Sequence, residues 1–184
     1  MKQNKNVNSA SVIKIFLYVT VSFLLAVLQS TLGKRIGLFG VTPQMTLALT
    51  VAAAYYQGPV IGALCGIFCG VFTDAIGGTG ITLSPLFYTL IGWIIGSLAI
   101  EKKGQKGSSL GSFILNLAAA TLVGGFITLI MLSLNAAKPN LPDAFIYIVL
   151  PEALNTYIFG FFIGLVYFVA ERLTQNQSNK KEKL

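Results

Sequence analysis

The acidic side chains are the residues best placed to do chemistry, and they are few. Asp74, Glu101, Asp143, Glu152, Glu171 and Glu182 are the six acids of the chain, and no two are adjacent. Neither a carboxylate pair for acid–base work nor an acidic cation cage can be read from that spacing. Histidine is absent, which removes the usual general base, proton shuttle and zinc ligand. The two cysteines, Cys65 and Cys69, are four apart within an apolar run, which is neither a zinc nor a redox spacing. They read as small packing residues. These residue types argue against an enzyme. They leave isolated polar groups in apolar surroundings: Asp74, then Gln29 and Ser30, then Glu152 and Asn155.

The elements that must carry these groups are membrane helices. Charged residues make up 10% of the 184 residues and apolar ones 54%, whereas a soluble domain is about 25% charged. Apolar runs recur along the whole chain, most of them near the ~20 residues a membrane crossing needs, with the hairpin of 43–57 and 59–76 made of two short helices. They predict an all-α, polytopic membrane protein, a single transmembrane domain over 1–173 with six spans: 15–32, 43–57, 59–76, 83–100, 110–134 and 151–173. The first reads as an uncleaved span rather than a signal peptide, since no small-x-small cleavage site follows it. Thr42-Pro43 reads as the cap and first residue of the second helix. Gln57-Gly58-Pro59 breaks that helix from the third. Two readings fit the last apolar stretch: one long helix kinked at Pro151, or a short surface helix over 144–150 followed by a span starting at Pro151. The second is preferred, because it places Glu152 at the positive end of a helix. Residues 174–184 read as a disordered basic tail.

The net charge of +7 follows topology rather than nucleic acid. With six spans and both termini cytoplasmic, ten of the 13 basic residues lie inside and only Lys34, Arg35 and Lys138 lie outside. The Lys102–Lys106 loop and the tail would then meet anionic lipid headgroups.

Gly58, Gly62, Gly66 and Gly70 lead at a spacing of four to Asp74, and Gly92/Gly96 and Gly160/Gly164 repeat that spacing. Residues four apart share a helix face, and glycine there lets a second backbone approach closely. The partner is either a helix of the same chain or one of another, which allows a homo-oligomer. Asp74 is either a polar anchor inside the bundle, bonded to the Gly77–Gly80 turn, or a solvated surface carboxylate. With Gln29, Ser30, Glu152 and Asn155 it could line a shallow outward-facing polar cavity. Tyr55, Tyr56, Tyr88 and Trp93 read as interfacial-belt or packing aromatics.

The ordered set Leu28-Gln29-Ser30-Thr31-Leu32, Leu38-Phe39-Gly40-Val41-Thr42-Pro43, Gly58, Gly62, Gly66, Gly70, Asp74, Gly80, Tyr88, Gly92 and Gly96 resembles the bacterial rod shape-determining MreD family. The match covers about Ala26 to Gly96, with Pro151 and Asn155 agreeing further on. The chain departs from the family at Gln44, where an acid is common. The resemblance implies a non-enzymatic cytoplasmic-membrane component of the cell-wall elongation machinery, without cofactor. Its implied partners are MreC, with MreB, RodA and RodA's partner transpeptidase in the same assembly. It also implies a fold similar to the substrate-binding subunits of energy-coupling-factor vitamin transporters, which makes such a subunit the alternative. Those subunits tend to carry small residues four apart in the first span, whereas Phe16 to Phe23 is bulky here.

Overall fold

A computed structural model of the chain describes residues 3–37, 40–77, 83–106, 109–134 and 140–181; for 3–14, 34, 36, 102–106, 134, 141 and 171–181 it describes the backbone alone. Among the described residues there is no strand. The helices are α1 (Gln3–Ile36), α2 (Met45–Gln57), α3 (Pro59–Gly77), α4 (Ser84–Lys106), α5 (Leu110–Leu134), α6 (Leu141–Ala144) and α7 (Leu150–Lys181), with a π-helical turn over Phe145–Val149 joining the last two. Five stretches are long and apolar enough to cross a membrane: Ile15–Gly33, Pro59–Gly77, Ser84–Glu101, Leu110–Ser133 and Pro142–Ala170.

Helix α2 is the exception and the centre. Its 13 residues reach only about 20 Å at 1.5 Å per residue, short of a ~30 Å hydrocarbon core. Every residue from Met45 to Tyr56 is buried. Helices α1, α3, α4, α5 and α7 all pack against it. The run Ala52-Ala53-Ala54 keeps it thin. The large apolar side chains of the surrounding helices point outward instead, as with Phe16, Tyr147 and Val166. Such a surface requires an apolar solvent.

The glycine series is spent inside the chain. A Cβ on Gly66 would lie 2.4 Å from the carbonyl oxygen of Tyr88, and one on Gly70 2.4 Å from Cα of Pro85. From the other side, a Cβ on Gly92 would lie 2.4 Å from the carbonyl of Gly62, and one on Gly96 2.4 Å from Cα of Pro59. Thus α3 and α4 touch backbone to backbone along Gly62, Gly66, Gly70, Gly92 and Gly96. Gly58 does not belong to that face. It turns the chain between α2 and α3 at φ 98°, and a Cβ there would meet only Ile100 Cδ1, at 3.6 Å. Its backbone conformation, rather than a close approach, selects glycine. Gly160 and Gly164 receive Leu117 and Phe113 of α5.

Several boundaries differ from those the sequence predicts. Helix α2 begins at Met45, not at a Thr42 cap: Gln44 holds the cap position at φ −84° and ψ 74° with no side-chain cap bond. Helix α1 runs through Gly33 to Ile36, and α4 runs on to Lys106. Helix α7 continues to Lys181 where a disordered tail is expected, and no glycine or proline stands after Gly164 to stop it. Helix α7 starts at Leu150, one residue from the expected start at Pro151, with Glu152 in its first turn, but no break precedes it. From Leu141 to Lys181 the chain is helical throughout. Pro151 lacks the N–H that an uninterrupted α-helix would use. The widened turn before it absorbs that loss, with the Leu150 N–H donating to the Phe145 carbonyl. Glu152 therefore lies about three turns inside a helix and not at its positive end.

Gly66→Leu should abolish the α3–α4 contact, because its clash is with backbone that cannot rotate away. Overpacking of this kind typically costs 1–3 kcal/mol or more. Gly77→Ala, where a Cβ would find nothing within 4 Å, is the control. Fluorescence-detected size exclusion of both variants checks this: Gly66→Leu should lose the monodisperse peak and Gly77→Ala should keep it.

Candidate functional site

The polar groups gather at one end of the bundle, around the start of α2. Helix N-termini leave backbone N–H groups without intrahelical partners, and α2 starts inside the bundle. Side chains from two other helices fill the gap. The Gln44 N–H donates to Thr156 Oγ1 of α7 at 2.9 Å, and the Thr46 N–H donates to Gln29 Oε1 of α1 at 3.2 Å. The Thr46 hydroxyl also donates to Gln29 Oε1 and lies 2.9 Å from the Thr73 hydroxyl of α3.

The Gln44 side chain is the hub. Its Nε2 donates to Glu152 Oε1 at 2.6 Å and to Thr128 Oγ1 of α5 at 2.9 Å. The Thr128 hydroxyl donates in turn to the same Glu152 oxygen. Tyr88 of α4 donates to Gln44 Oε1 at 3.4 Å. One residue thus joins α2 to α4, α5 and α7.

Asp74 is buried and accepts the N–H of Ser84, the first residue of α4, at 3.1 Å. A carboxylate at a helix N-terminus satisfies an orphan donor and faces the positive end of the dipole. Of the two readings this fits the anchor, with the Ser84 N–H as donor; the Gly78–Gly80 part of the turn lies outside the described residues. Asn155 Nδ2 donates to the Val41 carbonyl at 2.9 Å, fastening the loop before α2 to α7.

Gln29, Asp74 and Glu152 line one cavity of about 210 Å³, with Thr42, Gln44, Thr73, Gly77, Ser84, Tyr88, Thr128 and Met131. Asn155 and Ser30 are not on its wall. Ser30 borders a neighbouring hollow and bonds its own helix at Val27. Gln44, Thr128 and Thr156 are missing from the candidates read from sequence. Gln44 carried a signal, as an amide directly after Pro43 in an apolar run; the threonines carried none. Tyr88 is buried rather than interfacial, Tyr55 and Tyr56 are buried against Phe113, and Trp93 is half exposed. Cys65 and Cys69 are buried and free, and the Cys69 thiol donates to Ser22 Oγ.

Five apolar helices around a short buried one are compatible with a multi-pass membrane protein. No family model, curated protein or solved structure matches the chain.

Gln44→Ala would strip Glu152 Oε1 of its shortest bond and remove the amide oxygen to which Tyr88 donates. A buried group left unsatisfied costs about 1–3 kcal/mol, more when charged. Thermal unfolding of the purified variant should show a clear drop in Tm; an unchanged Tm would mean the hub contributes nothing.

Proposed function

We propose that the chain is a non-enzymatic scaffold of the cell-wall elongation complex, of the MreD type, in the cytoplasmic membrane. Its partner is MreC, with MreB, RodA and RodA's transpeptidase in the same assembly. The observation that carries this reading is how the residues of the resemblance are used. Gly62, Gly66, Gly70, Gly92 and Gly96 close α3 on α4. Gln29 and Asn155 fasten α1 and α7 to the start of α2 and the loop before it, and Asp74 fastens the start of α4 to α3. These residues build a braced body, which is what a scaffold needs. The alternative, a vitamin-binding transporter subunit, needs a ligand pocket of about 300–1,000 Å³. The polar cavity is about 210 Å³ and the hollow beside it, which shares Gln29, Thr42, Thr73 and Gly77, about 320 Å³, so bonding rather than volume favours the scaffold: Gln44, Thr128 and Glu152 bond one another.

The same reading counts α2 as a sixth, short crossing and puts both termini in the cytoplasm. Its length fits a locally thinned bilayer, or a helix shielded from lipid on all sides. The distribution of Lys and Arg supports this orientation.

Affinity purification of the tagged protein from its own membranes in mild detergent, read by mass spectrometry, tests the function. MreC and the RodA–transpeptidase pair should be enriched, and depletion should round the cells. Co-purification of a transporter's coupling subunit and ATPases would overturn the scaffold. For the topology, a cysteine placed in the tail should resist an impermeant thiol reagent in intact cells; labelling from outside would reverse the orientation.

A further inference from the structure

Where the apolar stretch of α1 begins, it stands away from the start of α3 and leaves a groove of about 270 Å³. Ile15 and Tyr18 form one wall, and Val60, Leu64 and Phe68 the other. Ile15, Val60 and Leu64 are exposed along the rim, while Cys65, 1% exposed, is the floor. The floor is closed because Ser22 of α1 approaches Cys65 there, at 4.0 Å. The groove is therefore a wedge, shut where the helices meet and open towards the outside of the bundle. Its depth along the helices matches one leaflet. Ile15 and Pro59 are where the two apolar stretches begin. From Val60 to Phe68, α3 rises about 12 Å at 1.5 Å per residue, against about 15 Å for half of a ~30 Å hydrocarbon core.

Shape and charge both bear on what fits. A partner helix, about 10–12 Å across, would rest on the rim without reaching Cys65, whereas a single hydrocarbon chain enters the wedge. The volume of about 270 Å³ holds roughly nine groups of ~30 Å³, the share of one water and about that of one methylene. The mouth lies at the basic end of the bundle. Lys14 directly precedes Ile15 and shares a face of α1 with Tyr18, four residues on. Gly96 of α4 packs on Pro59, so α4 continues past the start of α3 with Lys102, Lys103 and Lys106 on that side. Tyr56, just before α3, stacks on Tyr167, which places Arg172 of α7 on the same side. Against these stand Glu101 and Glu171, so the excess there is positive.

We infer that the groove between α1 and α3 binds one anionic phospholipid, with an acyl chain laid over Cys65 and the headgroup at the Lys14 end. Burial of the chain supplies affinity that any phospholipid shares, and the basic end supplies the preference for an anion. The inference rests on the chain crossing a bilayer and is independent of the proteins it assembles with.

Native mass spectrometry of the full-length protein in mild detergent, titrated with phosphatidylglycerol and with phosphatidylcholine of the same chains, tests this. The wild type should bind one phosphatidylglycerol about tenfold more tightly than phosphatidylcholine. Lys14→Gln should weaken phosphatidylglycerol about fivefold and leave phosphatidylcholine unchanged. Leu64→Trp, which fills the groove from its exposed rim, should weaken both lipids. If that variant does not purify monodisperse, Val60→Trp takes its place with the same expectation. Equal binding of the two lipids, or binding that the variants do not weaken, would reduce the groove to ordinary lipid-facing surface and overturn the site. A dimer in place of the lipid complex, broken by Leu64→Trp, would give the groove to a second copy of the chain and overturn it as well.

Discussion

A helix that begins inside a bundle needs partners for its first amide N–H groups, and side chains of the neighbouring helices supply them for α2. Gln29 and Thr156 supply the acceptors from α1 and α7. Gln44 itself reaches α5 and α7 through Thr128 and Glu152. Each of these bonds also crosses between helices, so satisfying the start of α2 fixes the positions of its neighbours. In lipid there is no hydrophobic drive between apolar helices, and polar bonds and close packing take its place.

Packing does the remainder along the glycine face. Where α3 meets α4, glycines at 62, 66, 70, 92 and 96 bring the backbones together with no side chain between. That contact sets Ser84 within reach of Asp74, so the steric and polar devices meet at one end of α4. At the opposite end of the bundle the contacts are aromatic: Tyr56 stacks on Tyr167 and leans on Phe113, and Tyr55 donates to the Ser109 carbonyl. The start of α2 is thus a polar end, and its last residues meet an aromatic one.

How much of this is legible in the sequence depends on how local its cause is. The α3 and α5 boundaries follow from Gln57-Gly58-Pro59 and from apolar length, and they fall where composition places them. The four-residue glycine spacing reveals a close helix contact, but not that its partner is the next helix of the same chain. The start of α2 and the continuity into the last helix are misread for one reason: proline and threonine signals are local, and the decisive bonds are not. Gln44 is held by residues 112 and 108 positions away in the chain. Pro151 sits in a through-going helix because five residues before it adopt a wider turn. The candidates Gln29, Asp74 and Glu152 do converge on one cavity, since isolated polar groups in apolar spans need a shared polar place. Asn155 goes elsewhere because a backbone carbonyl at Val41 is nearer to hand.

The central claim is that side chains from α1 and α7 hold the first amides of α2. Hydrogen–deuterium exchange over 44–50, compared between the wild type and the double variant Gln29→Leu/Thr156→Val, tests it most directly. The account predicts slow exchange in the wild type and at least tenfold faster exchange at Gln44 and Thr46 in the variant, a loss of about 1.4 kcal/mol of local protection. Unchanged exchange across that segment would contradict it.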